Sequence, residues 1–274
     1  MAAKLDEPTQ NRSLIYWYGA ALGDRWFADS EARRLAEQAA SNLADSWCSE
    51  LACLPLGSAM GGGSAGDGRI SIDPLASTVQ LLAGYGDQRG RDRLGRHLHT
   101  LTQVLADGRG AYAGHADLQL GLIAGPAGNW SRGQAWAMLG LARAATQYPQ
   151  PYLRLAEQSA YYWLNSRPEP LVLNRLDQPD AGLDPSATVM AAIALQVLAK
   201  AGNDQARWQA QADRLLTAVL RGACFSLDTE SAGAFTGLCY STGEGDVLVE
   251  SPCSSFFLLA ALLVMAGVLD PLDF

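Results

Sequence analysis

An all-α fold is predicted for this chain of 274 residues. Apolar residues recur at spacings of three and four through long Ala/Leu/Gln/Arg segments, while alternation with period two is rare. The helical segments also come in two kinds that take turns along the chain. A helix apolar on every side is buried, whereas one with a single apolar face lies against a buried neighbour. Alternation with a repeat of about 55–65 residues predicts helical hairpins, either stacked in a layered solenoid or closed into an (α/α) toroid. The spacing is compatible with both.

In chain order, the first helix is read over 13–23, where Leu14–Leu22 is small, apolar and almost uncharged. Residues 30–48 are amphipathic and charged, beginning Glu31-Ala-Arg-Arg-Leu-Ala-Glu-Gln. The apolar kind returns at 73–86 with Pro74–Gly84, and the charged kind at 90–106 with Arg91–Leu105. Residues 130–147 contain the apolar run Gly133–Ala145, and 151–165 the amphipathic run that begins at Leu153. Apolar Ala187–Ala199 sets a helix over 185–201, Trp208–Leu220 a covering one over 204–221, and Phe256–Ala266 a last apolar one over 253–268.

Four long connections separate these helices. Leu54–Arg69 contains Gly61-Gly62-Gly63 and reads as a rim loop rather than a phosphate cradle, because neither a lysine nor a strand accompanies it. Gly108–Gly128 holds Tyr112, His115 and Asp117. Residues 166–184 and 222–252 are rich in Pro, Gly and acids and predict short hairpins such as Gly233–Tyr240.

At 49% hydrophobic content the chain can bury a large core, most economically as one domain over 1–274. A formal charge of −8 and a pI near 4.8, with no Lys/Arg cluster, argue against nucleic acid as a partner. An anionic ligand would need a local positive site. Cys48, Cys53, Cys224, Cys239 and Cys253 are odd in number and lack metal-ligand spacing, so they read as reduced, mostly buried thiols with no metal. No leader precedes residue 20, and Phe256–Val268 is too short to span a bilayer. The expectation is a cytoplasmic protein, without a membrane partner and without a cofactor.

The run Asn129-Trp130-Ser131-Arg132-Gly133-Gln134-Ala135-Trp136 sets two indoles beside a guanidinium and an amide. Flat apolar faces with adjacent donors grip a sugar that carries a carboxylate. The same residues also suit core packing, with Arg132 a snorkelling surface side chain. Asp73, in Arg69-Ile-Ser-Ile-Asp73-Pro74, stands among apolar residues at the mouth of a buried helix, where burial raises a carboxyl pKa toward proton donation. An Asp before Pro is equally an ordinary helix cap.

Trp130-Ser-Arg-Gly-Gln-Ala-Trp136 resembles, with one change, the Trp-Ala-Arg-Gly-Gln-Ala-Trp hallmark of the unsaturated glucuronyl hydrolases, and is close to that of the unsaturated rhamnogalacturonyl hydrolases. The resemblance implies an (α/α)6 barrel. It also implies a chain that starts near the family's second inner helix, since nine helices are fewer than such a barrel has. Closure with fewer helices, or a homodimer covering the gap, would resolve the deficit.

The implied activity is removal of a 4,5-unsaturated uronic acid from an oligosaccharide by hydration of its vinyl ether. Asp73 corresponds to the family's acid/base. Trp130, Arg132 and Trp136 correspond to its sugar subsite, with Gln134 in the same motif and Arg132 placed to meet the uronate in bidentate fashion. Leu183-Asp184-Pro-Ser186-Ala187 resembles a further family segment, in which Asp184 is as much a cap as a site residue.

Other positions depart from the family. Its second aspartate falls near Asn11, its Asn near Ser77, and its loop histidine at Ala113, leaving His115 as a shifted substitute. Its acidic pair before the Trp motif becomes Pro126-Ala127-Gly128-Asn129, and a C-terminal Gly-Asp-Tyr becomes Cys253-Ser254-Ser255. His97 and His99 fall on a charged outer helix and read as solvated. The alternative is a diverged toroid that binds or modifies another anionic small molecule without hydrolysing it.

Overall fold

The computed structural model describes residues 5–7, 9–58, 63–66, 68–178, 180, 182–228, 230, 234–242 and 245–274. They gather into two compact units, one made of residues up to 108 with 112–127, the other of 109–111 with 128–274.

In the first unit, α1 (Arg12–Ile15) passes through a π-helical stretch, Tyr16–Ala21, into α2 (Leu22–Phe27). The predicted single helix over 13–23 is thus subdivided and extended. Ala28, in the left-handed region at φ 53°, ends α2, and Asp29 then caps α3 (Ser30–Asp45) by accepting from the Glu31 and Ala32 N–H groups. A stripe of Ala36, Ala39, Ala40 and Leu43 buries one face of α3, as its periodicity requires. Helix α4 (Leu75–Tyr85) is buried on all sides from Leu75 to Leu82, while α5 (Gln88–Leu105) is capped by Asp87 and buries Leu94, Leu98, Leu101 and Leu105.

His97 lies on that buried stripe of α5, three residues from Leu94, and is fully enclosed. Its Nδ1 accepts from the Leu54 N–H at 3.2 Å, and its Nε2 faces the Gln10 amide at 3.0 Å. The expectation of a solvated ring is therefore corrected for His97, whereas His99, two residues on, is exposed.

Short antiparallel strands occupy the long loops. β1 (Gly57–Ser58) pairs with β2 (Ser64–Gly66), and β3 (Arg69–Ser71), β4 (His115–Asp117) and β5 (Leu122–Ile123) form a three-stranded sheet in that order. Strands of two or three residues are too brief to print a period-two pattern, which is why the sequence reading placed loops there. Gly61 and Gly62 lie outside the described residues.

The second unit is built on α8 (Pro185–Ala201), whose side chains are buried from Pro185 to Ala199. Around it pack α6 (Ser131–Gln147), α7 (Pro149–Ser166), α9 (Gln205–Arg221) and α10 (Pro252–Met265). Two buried polar side chains on α8 donate to carbonyls: Thr188 Oγ1 to that of Pro170 and Gln196 Nε2 to that of Ala261. In α7 Gln150 is non-helical between two prolines, so the regular helix begins at Pro151, as expected. α10 departs from its predicted enclosure: it buries Phe257, Leu258 and Ala261 but leaves Leu259 59% exposed.

The hairpin in 222–252 is β6 (Leu238–Thr242) with β7 (Gly245–Val249), further along than Gly233–Tyr240, and Gly233 lies outside the described residues. None of the five cysteines is in a disulfide. Cys53 and Cys239 are buried, Cys48 and Cys224 half-buried and Cys253 exposed, so burial is less general than expected.

Candidate active site

The Trp130 motif forms the start of α6. Trp130 is extended, at φ −79° and ψ 113°, and the helix begins at Ser131. The entering strand of chain is pinned to residues 173–177. Ser131 N–H donates to Asn174 O at 2.9 Å, Ser131 Oγ to Leu173 O at 2.6 Å, Leu176 N–H to Asn129 O at 3.1 Å and Asp177 N–H to Asn129 Oδ1 at 2.9 Å. The motif's glycine is explained by its first tryptophan: a Cβ on Gly133 would lie 2.4 Å from Trp130 Cε3, so only glycine lets the indole fold onto the helix.

Arg132 projects beside that indole, with Cζ 5.4 Å from the ring centroid. Its Nη1 donates to Asp184 Oδ2 at 2.5 Å and to Cys239 O at 3.2 Å. Asp184 is fully buried and also caps α8, its Oδ1 accepting from Ser186 Oγ at 2.5 Å and from Ala187 N–H at 3.3 Å. Burial pushes the Asp184 carboxyl up, opposed by Arg132, the Ser186 hydroxyl and backbone N–H groups. Cap and site residue, the two readings of Asp184, are compatible in one carboxylate.

Asp184 therefore fixes the guanidinium, and the edge expected to grip a uronate in bidentate fashion is partly taken. The Arg132 side chain remains 18% exposed and Trp130 is half-buried, so the cation and the indole it covers both keep an edge toward solvent. Nearby, Asn174 Nδ2 donates to Asp246 Oδ2, and burial together with Asp184 and Asp246 pushes the Cys239 thiol up to about 12.

The other two motif residues point elsewhere. Gln134 is fully buried, and its Nε2 donates to Gly110 O at 2.9 Å and Ser159 Oγ at 2.8 Å. The expectation that it contacts substrate is corrected: one turn of helix carries its amide toward α7. Trp136 is 5% exposed and packs edge-on against Phe257 at 5.4 Å, so its ring belongs chiefly to the α6/α10 packing.

In the first unit, the three-stranded sheet organises Asp73 and His115. Ser71 lies opposite His115 in the β3/β4 register, the Ile72 N–H extends that ladder to Gly114 O, and the Asp73 N–H turns back onto Ser71 Oγ at 3.4 Å. Asp73 is half-buried, and the N-cap of α4 is Pro74 with no side-chain cap bond. The helix-cap reading of Asp73 is thus corrected. The cap position is one residue further on, at Pro74. His115 is half-buried, and burial plus the Arg69 charge hold its ring below the usual imidazole pKa.

Asn11 is buried before α1, with Nδ2 donating to Ser58 O at 3.2 Å and its N–H to Thr9 Oγ1. The amide therefore fastens β1 and is not presented as a solvent-facing sugar contact. Ser77 is buried as well, bonded to Ser13 Oγ and Pro74 O.

Neither a family model nor a curated protein matches the chain. Solved structures do. The unsaturated glucuronyl hydrolase from Bacillus sp. GL1, described as responsible for the degradation of glycosaminoglycan, superposes with a TM-score of 0.82 at 24% identity, over 96% of this chain and 76% of that one. This chain has the fold of the unsaturated glucuronyl hydrolases. A UGL variant structure with dGlcA-Glc-Rha-Glc gives a TM-score of 0.84 at 23% identity, over 97% and 78% of the two chains. An unsaturated glucuronyl hydrolase specific for heparin gives 0.77 at 18%, over 97% and 77%. The helical toroid, left beside a layered solenoid by periodicity alone, is the architecture this likeness supports.

Arg167 was missed by the sequence reading. It is 4% exposed, stacks 4.6 Å over Trp163 and donates to Ser131 Oγ, Ser166 Oγ and Gly128 O, clamping the approach to the Trp130 motif. Burial holds its guanidinium down to about 10. Its only signal in sequence is an arginine ahead of Pro168 at a helix end. Among the described residues no group of three or more His, Cys, Asp or Glu could hold a metal ion, and no helix is long and apolar enough to cross a membrane.

Proposed function

We propose that this protein is a glycoside hydrolase that removes a 4,5-unsaturated uronic acid from an oligosaccharide. The observation that carries the reading is the partly exposed cation and indole pair of Arg132 and Trp130 in a fold shared with unsaturated glucuronyl hydrolases. An indole face suits a sugar ring, and a guanidinium held by Asp184 suits the uronate carboxylate.

In the proposed reaction Asp73 gives its proton to C4 of the vinyl ether, and water adds at C5 as the same carboxylate takes a proton back. The hemiketal so formed opens and expels the aglycone. No second carboxylate at a fixed separation is needed, unlike in ordinary retaining or inverting glycosidases. The N-cap position of α4 falls to Pro74, one residue past Asp73, which is compatible with this role. His115, across the ladder from Ser71, is the neighbouring polar ring.

Incubation with a 4,5-unsaturated disaccharide and with its saturated counterpart, followed by chromatography, tests the proposal. Aglycone release from the unsaturated sugar alone is expected. Release from neither, with binding retained in calorimetry, would favour a diverged toroid that holds an anionic sugar, a reading supported by the Asn11 amide standing where the family carries an acid.

A further inference from the structure

We propose that Cys48 and Cys53 are a thiol–disulfide modification site, closing to a reversible disulfide with a low-molecular-weight disulfide as oxidant. The two residues exchange both backbone hydrogen bonds, Cys48 N–H to Cys53 O at 2.9 Å and Cys53 N–H to Cys48 O at 3.3 Å, across the turn that follows α3. Residues paired in this way have Cα atoms about 5.5 Å apart and side chains on one face. A disulfide spans Cα separations of about 4.4–6.8 Å, so the backbone already stands at bridging distance.

The β-carbons do not. Cross-strand partners hold them about 4.5–5.5 Å apart, whereas a relaxed disulfide wants about 3.8 Å. Closure must draw them together by roughly 1 Å, and the strain so stored makes the bond easy to reduce. The two sides differ in freedom. Cys53 is anchored on α5, since Leu54 N–H is held by His97 Nδ1 and Ala52 O by Thr100 Oγ1, and Ala52 itself sits at φ 49°. Cys48, at the half-buried end, is the sulfur that moves.

Access sets the order of events. Cys53 is fully buried, and burial with the nearby Cys48 pushes its thiol up to about 12, so external reagents meet Cys48 first. The Cys48 thiolate attacks one sulfur of the oxidant and releases one thiol. Cys53 then loses its proton as it attacks the Cys48 sulfur and releases the second. The balance is one external disulfide and two protein thiols giving one protein disulfide and two external thiols.

The whole chain supplies its own test. No Lys or Arg lies between Arg34 and Arg69, and Glu50 stands between the two cysteines. After exposure to oxidised glutathione, denaturing alkylation and digestion with trypsin and a Glu-specific protease, the fragments on either side of Glu50 are expected to remain joined until dithiothreitol separates them. Cys53→Ser should instead leave Cys48 carrying glutathione. In the wild-type chain, recovery of both cysteines alkylated, or of Cys48 bearing glutathione with Cys53 alkylated, would overturn the proposal.

Discussion

Arg132 Nη1 lies 2.5 Å from Asp184 Oδ2, and the other oxygen of that carboxylate caps α8 through the Ala187 N–H. One buried acid thereby ties the Trp130 motif on α6 to the start of the central helix. Removing it should act on both. Breaking a buried ion pair costs about 3–5 kcal/mol, less here because Arg132 is partly open to water, and a lost cap costs about 1 kcal/mol. Asp184→Ala is expected to lower the urea-unfolding free energy by about 3 kcal/mol. Asp184→Asn, which can still cap, should lose about 2 kcal/mol. Equal losses for the two would show that the cap contributes nothing.

Gln134 is expected to separate stability from binding. Gln134→Leu fills much the same volume but leaves Gly110 O and Ser159 Oγ without their donor, at about 1–3 kcal/mol for each buried group left unpaired. Thermal unfolding should fall by several degrees while KM for the unsaturated sugar stays within about twofold. A raised KM at unchanged stability would return Gln134 to the substrate.

His97 gives a pH prediction. Burial lowers its pKa from 6.5 to about 4, so the unfolded chain takes up a proton that the folded one refuses. Stability from the neutral ring is fully present above pH 6.5 and is lost as pH falls through about 4, a span worth about 3 kcal/mol. Urea midpoints between pH 7 and 4 should drop more steeply for the wild type than for His97→Asn. Parallel curves would assign the acid sensitivity to other groups.

These residues also show what the sequence disclosed. Helix positions and kinds were legible because an enclosed helix such as α8 has apolar neighbours on every side and a covering one such as α5 on a single stripe. The burial of His97 followed from its place on that stripe, three residues after Leu94, but was masked by the surrounding charges. In the motif, Arg132 and Gln134 are two residues apart, which on a helix turns them to opposite sides. Composition advertises both as donors and is silent about direction. Arg167 was invisible because its partners, Gly128 O and Ser131 Oγ, come from a segment distant along the chain.

Asp73→Asn is expected to leave folding intact, since Asn keeps the shape and hydrogen-bonding capacity of Asp and the N-cap of α4 is Pro74, and to lower kcat by about 100- to 10,000-fold, the usual worth of a general acid or base. Circular dichroism beside steady-state kinetics separates the two effects. A variant that unfolds would give Asp73 a structural role instead.

The most direct measurement follows the ultraviolet absorbance of a 4,5-unsaturated disaccharide, a chromophore that belongs to the conjugated ene-carboxylate and disappears when water adds across it. Wild-type protein should erase it and Asp73→Asn should leave it standing. Absorbance that persists with the wild type, or vanishes equally fast with both, would contradict hydration driven by Asp73.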